Sequence, residues 1–293
     1  MSQKNPGLKF DNKVAVITGG SSELSKKLAI ELAKRGAQIV LNDQKHAGEL
    51  DDVINQIKNA EGEAVSSFIP LENSEGIIRQ ALDTYGKIDL LINNIEDCSE
   101  NEITETSDAD WENFIKLNLT SPFKLIKSAW NHMRAQKFGR IVNVSSHIGF
   151  FGEYKKIGLS ASKIGLHGLT QVAAREGEKF NIKCNTILPL ISQESPKLIP
   201  ENVIPLILVL LHDLCKENGG IYEAGGGFIS KLRIERAKGV FLKSNISPEA
   251  LKTKWKSIQN FEGPYDYPSS FTDSISRPMI ILDELRLIPR PKI

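Results

Sequence analysis

The stretch from Lys13 to Asp43, KVAVITGGSSELSKKLAIELAKRGAQIVLND, restricts the fold of this chain more than any other. Val14 to Thr18 is an apolar run of strand length, and Gly-Gly-Ser-Ser turns the chain after it. Leu24, Leu28, Ala29, Leu32 and Ala33 then recur at helical spacing, Gly36 supplies the stop, and a second apolar run ends in Asn42-Asp43. Strand, helix and strand in that order make a βαβ unit. A first unit of this kind holds a dinucleotide by a simple division of labour. Its glycines let the backbone approach the pyrophosphate, its helix N-terminus faces the negative charge, and an acid after the second strand takes the ribose hydroxyls. Asp43 stands where that acid belongs. The turn departs from the glycine pattern T-G-x-x-x-G-x-G: Thr18 and Gly19 are in place, but Glu23 and Ser25 occupy the other two glycine positions.

Downstream, helical and strand patterns keep alternating with short links. Leu50 to Ala60 and Gly76 to Tyr85 have helical spacing, and Ala64 to Ile69 and Ile88 to Ile92 read as strands. Long helical patterns run from about Asp108 to Gln136 and from about Gly158 to Phe180, with strands at Arg140 to Val144 and Lys183 to Leu188, and Val203 to His212 is a further apolar helix. The alternation predicts an α/β fold, a doubly wound, Rossmann-like parallel sheet in three layers with right-handed crossovers. This domain is expected over residues 1–231. From about Leu232 the texture changes, and Pro248, Trp255, Phe261 and the stretch from Pro264 to Ser270 predict a helical and irregular extension over 232–293, packed on the sheet domain.

Composition excludes several function classes. Lys and Arg total 37 against 36 Asp and Glu, with no basic stripe, so nucleic acid is not the expected partner. No apolar run reaches the roughly 18 residues of a membrane span, and the polar start MSQKNPGLKFDNK is not that of a secretory signal, so a soluble, unsecreted chain is expected. Cys98, Cys184 and Cys215 lack metal or disulfide spacing and read as idle or buried thiols. His147 and His167 have no carboxylate or cysteine at ligand spacing, so no metal site is expected.

The stretches YGKIDLLINN, KFGRIVNVSS, NIKCNTILP, ENGGIYEAGGGFISKLRIERAKGV and SPEALKTKWKSIQNFE carry a resemblance to the short-chain dehydrogenase/reductase family. Within it the chain is most similar to the (3R)-hydroxyacyl-CoA dehydrogenase branch found in peroxisomal multifunctional enzymes. The resemblance covers about residues 8 to 262, and the hydratase and sterol-carrier regions of such enzymes are not expected in this chain. It implies an NAD-dependent oxidoreductase of lipid metabolism, acting on 3-hydroxyacyl-CoA or hydroxysteroid substrates. It also implies a catalytic set in which Asn118 supports a proton relay, Ser146 binds the substrate oxygen and Lys163 lowers the pKa of a tyrosine four residues earlier. That tyrosine position is Leu159.

Four further departures surround the cofactor. Glu23 brings a carboxylate to the pyrophosphate position, where a like charge near 4 Å costs on the order of 4 kcal/mol. Ser25 replaces a glycine, the N-N-A-G element reads Asn93-Asn94-Ile95-Glu96, and Ile69 stands where the family places an aspartate against the adenine. The segment after Pro189 is also shorter than the family's substrate-covering loop. Ser160 is adjacent to position 159 but points about 100° away on a helix, and a serine is a poor acid near neutral pH; Tyr154, five residues upstream in the preceding loop, would need a rearranged backbone to reach. These residues predict a chain that has lost, or nearly lost, hydride transfer and acts as a binding or assembly partner. The alternative is an active NAD-dependent enzyme helped by an unrecognised acid. Asp43, Ser146, Asn118 and Lys163 each carry a second, structural interpretation, since such groups also cap turns and satisfy backbone.

The helices around Leu117 to Trp130 and Leu159 to Val172 form a dimer contact in the family, so a homodimer, or a heterodimer with a related dehydrogenase, is expected. An acyl-CoA or steroid-like ligand is a further expectation. The final Pro-Lys-Ile resembles a degenerate peroxisomal address, which sets a peroxisomal destination against a cytoplasmic one.

Overall fold

Because their side chains are apolar on both faces, the strands of this chain fit a sheet that is covered on both sides. The computed structural model describes residues 7–95, 101–242, 246–262, 267–268, 270 and 272–275. Glu96, Cys98, Pro264 and the terminal Pro-Lys-Ile lie outside them. The elements are β1 (Val14–Thr18), α1 (Glu23–Lys34), β2 (Gln38–Asn42), α2 (Ala47–Asn59), β3 (Glu63–Ser67), α3 (Ser74–Tyr85), β4 (Leu90–Asn93), α4 (Asp108–Ile115), α5 (Ser121–Gln136), β5 (Gly139–Val144), α6 (His147–Phe151), α7 (Ile157–Gly177), β6 (Ile182–Pro189), α8 (Ile204–Leu211), β7 (Ile221–Gly225), β8 (Phe228–Leu232) and α9 (Pro248–Ile258). Cα packing divides the chain into two units, Met1–Lys231 and Leu232–Ile293.

In the first unit, the eight-stranded sheet runs β3-β2-β1-β4-β5-β6-β7-β8, with β3 through β7 parallel. Strand β1 shows why three layers form. Ala15 and Ile17 belong to one apolar cluster with Leu28, Val53 and Ile207, from α1, α2 and α8. Val14 and Val16 belong to the other, with Ile77, Leu125 and Ala173 from α3, α5 and α7. Alternation of side chains thus feeds one core on each face. Strand order reverses between β1 and β4, and at such a switch the carboxyl ends of the strands border a crevice.

The structure divides the helix expected over 108–136. Residues 116–120 form a π-turn between α4 and α5, and the Ser121 N–H reaches five residues back to the Lys116 carbonyl. Pro122 supplies the reason: it has no N–H for the ordinary bond to Asn118. Three elements, α6, β7 and β8, have no counterpart in the sequence expectation.

The amino ends of the strands are pinned by Arg140, which is buried and stacks on Phe138, 4.4 Å away. Its guanidinium donates to the carbonyls of Gly139 and Asn181, each at 2.8 Å, of Asp213 at 3.1 Å and of His212 at 3.4 Å.

The second unit contains α9, whose N-cap Ser247 accepts from the Ala250 N–H at 3.2 Å. Arg233 stacks on the Tyr267 ring at 3.3 Å, and Arg236 donates to the Ser274 carbonyl.

Candidate active site

The loop after β1 is bound tightly to the loop after β4. Gly19 has φ +63°, and a Cβ there would lie 1.7 Å from the Asn94 carbonyl oxygen, so only glycine fits. The Asn94 N–H donates to Thr18 Oγ1 at 3.2 Å. Ser22 caps α1 by accepting from the Ser25 N–H at 3.2 Å. Ser25 is fully buried, and its hydroxyl donates to the Thr18 carbonyl at 3.1 Å. The Asn94 amide donates to Ser25 Oγ at 2.9 Å and to Ser22 Oγ at 2.7 Å. The serine in the third glycine position therefore has its hydrogen bonds met inside the loop.

Glu23 opens α1 with its side chain 61% exposed, and it pairs with Lys26 at 2.8 Å. Lys26 also meets Glu49 at 3.0 Å, and the Glu23 bond is the main reason its pKa is raised. The charge at position 23 is thus not the isolated one that the sequence alone suggests, and the repulsion expected toward a phosphate is correspondingly reduced.

Asp43 ends the second strand with both carboxylate oxygens engaged. Oδ2 accepts from the Ser21 hydroxyl at 2.7 Å and the Ser21 N–H at 3.1 Å. Oδ1 accepts from the Lys45 N–H at 2.9 Å, with His46 Nδ1 at 3.3 Å. Burial alone would raise this carboxyl, but the bonds from Ser21, Lys45 and His46 outweigh it and hold the pKa below the ordinary value. Ile69 is half-buried beside the second core, and its carbonyl accepts from the Asn42 amide at 2.9 Å. Asn93 is buried and donates to Asn143 Oδ1 at 2.8 Å.

The other half of the crevice gathers around α7. Its buried positions, Leu159, Ser162, Lys163, Leu166, His167 and Thr170, recur every three or four residues, which places Leu159 and Lys163 one above the other on the inner face. Lys163 is buried, and its ammonium donates to the carbonyls of Ile95 at 2.8 Å and Val144 at 3.3 Å, bridging the ends of β4 and β5. Ser146 follows β5 and caps α6 by accepting from the Ile148 N–H at 3.3 Å. Leu159 is 7% exposed. Asn118 sits in the π-turn, its amide nitrogen 3.3 Å from the Phe114 carbonyl and its Oδ1 buried without a partner in the described residues.

Neither hydroxyl near Leu159 is available to that position. Ser160 donates to the Ile148 carbonyl at 2.7 Å. Tyr154 is 71% exposed and donates to Glu102 at 2.5 Å, a bond that also raises its pKa. The segment after Pro189 is closed on itself by a bond from the Ser192 N–H to the Leu198 carbonyl at 2.9 Å.

Two groupings lay beyond sequence reasoning. His147, next to Ser146, meets Glu223 of β7 at 2.9 Å, with both side chains partly exposed. They are 76 residues apart, and only the β5-β6-β7 order brings them together. A buried polar chain also links the two halves. Asn143 carries the hydrogen bonding from Asn93 to Thr170 Oγ1 at 2.8 Å, Thr186 donates to Thr170 at 3.1 Å, and His167 Nδ1 lies 3.1 Å from Thr186. Since the Thr186 proton goes to Thr170, Nδ1 is the donor, and His167 is neutral with a pKa lowered by burial.

Cys184 and Cys215 are free and buried, and burial pushes the Cys184 thiol up to about 12, so it is unreactive. Among the described residues no cluster of His, Cys, Asp and Glu is placed to hold a metal ion, and no helix is long and apolar enough to cross a membrane.

A family model described as short chain dehydrogenase matches residues 13–195, which span both halves of the crevice. The chain belongs to this family. Short-chain dehydrogenases typically use NAD(P). Peroxisomal multifunctional enzyme A of Dictyostelium discoideum is 36% identical over 287 residues, 92% of this chain and 65% of that protein. Peroxisomal multifunctional enzyme type 2 of Mus musculus is 35% identical over 87% of this chain and 37% of its own length. This chain therefore spans about a third to two thirds of these relatives. The solved full-length peroxisomal multifunctional enzyme type 2 from Drosophila melanogaster superposes with a TM-score of 0.84 at 28% identity, over 95% of this chain and 51% of that one.

Proposed function

We propose that this member of the short-chain dehydrogenase family, related to peroxisomal (3R)-hydroxyacyl-CoA dehydrogenase, has lost hydride transfer or nearly so and serves as a binding or assembly partner. The observation that carries this is Leu159: a buried hydrocarbon holds the position one turn before Lys163, and Ser160 and Tyr154 are hydrogen-bonded elsewhere. General acid/base catalysis contributes roughly 10²- to 10⁴-fold in rate, so its loss alone would cripple turnover. The cofactor half supports the same reading. An intact site would offer Asp43 to a ribose, yet Ser21, Lys45 and His46 already occupy that carboxylate, and Ile69 offers the adenine no hydrogen-bonding side chain. These residues do not fit NAD well. Ser146, Asn118 and Lys163 then serve to close α6, the π-turn and the ends of β4 and β5.

The assembly reading rests on α5 and α7, where Phe123, Ile164 and Val172 are exposed. A homodimer, or a heterodimer with a related dehydrogenase, would cover them, and the crevice remains open to an acyl-CoA or steroid-like ligand. A peroxisomal destination follows from the relatives, which are named as peroxisomal enzymes. The deciding experiment is titration of the purified chain with NAD⁺ and NADH to millimolar concentration, followed by calorimetry and thermal melting. No binding is expected. A melting shift of the size that corresponds to about 2.7 kcal/mol at 100-fold excess over Kd would overturn the reading.

A second reading, an active NAD-dependent oxidoreductase on 3-hydroxyacyl-CoA or hydroxysteroid substrates, is favoured by one observation. His147, oriented by Glu223, is a titratable group beside Ser146. It requires turnover that His147→Gln abolishes.

A further inference from the structure

Two helices of this chain carry the same kind of pattern and treat it in opposite ways. In α2, Leu50, Val53, Ile54 and Ile57 recur at helical spacing, and all four are buried. In α9, Leu251, Trp255 and Ile258 also recur at helical spacing, yet no residue of the helix is buried. Trp255 is 54% exposed. Ile246, just before the Ser247 cap, is 75% exposed and continues the apolar sequence ahead of the first turn. Packing of an apolar face normally supplies most of a short helix's stability in water. Here that face is left for something outside the described residues to cover.

Charge points to what covers it. At about 100° per residue, Leu251, Trp255 and Ile258 fall within about 60° of one another around the helix. Lys254 borders this stripe on one side, Lys252 borders it on the other, and Lys256 lies beyond Lys252. All three lysines are exposed, and among the described residues none of them has an ion-pair partner. Positive charge on both margins of an apolar stripe suits a broad negative plane better than the wall of a protein groove. The residue type agrees. Lysine is a flexible, strongly hydrated point charge, whereas close and geometrically specific pairing favours arginine, which α9 lacks. Lysine stems can lie along an acyl boundary with their ammonium groups among the headgroups, and an indole suits the same depth.

We propose that α9 is an interfacial helix that lies in the plane of an anionic lipid surface, with Leu251, Trp255 and Ile258 at the acyl boundary and the three lysines among the lipid phosphates. The chain then docks on a membrane without crossing it, whichever reading of the crevice holds. The test is co-sedimentation of the full chain with vesicles of phosphatidylcholine alone and of phosphatidylcholine mixed with phosphatidylserine. Binding is expected to the mixed vesicles only, and it should weaken as salt is added. Each lysine near such a surface is worth about fivefold in partitioning, the equivalent of about 1 kcal/mol. Lys252→Glu, Lys254→Glu and Lys256→Glu together should therefore lower binding by about a hundredfold or more, in a chain that melts like the parent. Fluorescence should shift to the blue on binding, and Trp255→Phe should keep the binding and lose most of that shift. A chain that stays in solution with the mixed vesicles overturns the proposal, as does binding that the lysine reversals leave unchanged. So does a particle mass, measured without lipid, that Trp255→Ser halves, because a second copy would then be what covers the stripe.

Discussion

The two halves of the crevice are held together by different means. In the catalytic half, under the proposed reading, Ser146, Asn118 and Lys163 hold the positions that the resemblance implies and Leu159 holds that of the tyrosine. In the cofactor half the backbone frame is kept, down to a Gly19 that cannot be replaced, while side chains of the chain itself have taken up the hydrogen bonds. The Asn94 amide nitrogen donates to Ser22 and Ser25 while its Oδ1 is buried without a partner among the described residues, and Asp43 is engaged by Ser21, Lys45 and His46. On the proposed reading, a lost reacting group would leave a gap in the chemistry and little mark on the fold. Rewiring a binding loop adds internal bonds, which a ligand would have to break.

Repairing both halves is expected to have the largest effect. Leu159→Tyr combined with Glu23→Gly and Ser25→Gly should restore NAD binding and raise NADH formation from a 3-hydroxyacyl-CoA by about 10²-fold or more. Leu159→Tyr alone should leave it at background, because the cofactor half is still occupied. If the single variant turned over as fast as the triple one, the contrast between the halves would collapse.

Next in size is a stability effect. Lys163→Met should lower unfolding free energy by about 2 kcal/mol in urea titration, because the carbonyls of Ile95 and Val144 lose a charged donor inside the protein. A variant of unchanged stability would mean that Lys163 is kept for chemistry.

Asp43→Asn should cost about 1 kcal/mol, and its pH dependence has a definite sign. The folded carboxyl has the lower pKa, so its contribution is complete above the ordinary value of 3.8 and fades as pH falls through the folded one. The melting difference between parent and variant should therefore narrow in acid.

The smallest effect concerns the polar chain between the halves. His167 is held neutral, whereas the unfolded chain takes up a proton below its ordinary pKa of 6.5, so stability should slope downward as pH drops below that value. His167→Gln should flatten that slope. An unaltered slope would place the titrating group elsewhere.

The framework was legible because it depends on local periodicity. Val14 to Thr18, the helix spacing after Ser22 and the apolar runs at β4 to β6 each announce their element, and their alternation gives the layers. Position 159 was legible for a similar reason, since a fixed spacing to Lys163 on one helix survives translation into space. Partnerships across strands were not. Glu23 is the exception, since its partner Lys26 lies three residues on in the same helix and that pairing was within reach of the sequence. His147 and Glu223 meet only through sheet order. The π-turn escaped periodicity because the helix continues on both sides of it, although Pro122 was the clue. Strand β8 was missed since FISKL follows three glycines and lacks alternation.

The Arg140 pin has a consequence for synthesis. Its carbonyl partners Asn181, His212 and Asp213 emerge from the ribosome 41 to 73 residues after it. At roughly 5–20 residues per second, Arg140 waits several seconds for them. Until then the guanidinium cannot be buried with its donors met, so the amino ends of β5 and β6 cannot set into their final form. A nascent chain halted before His212 would hold β1 to β4 together with a half-built sheet edge, the species that a chaperone should capture during translation.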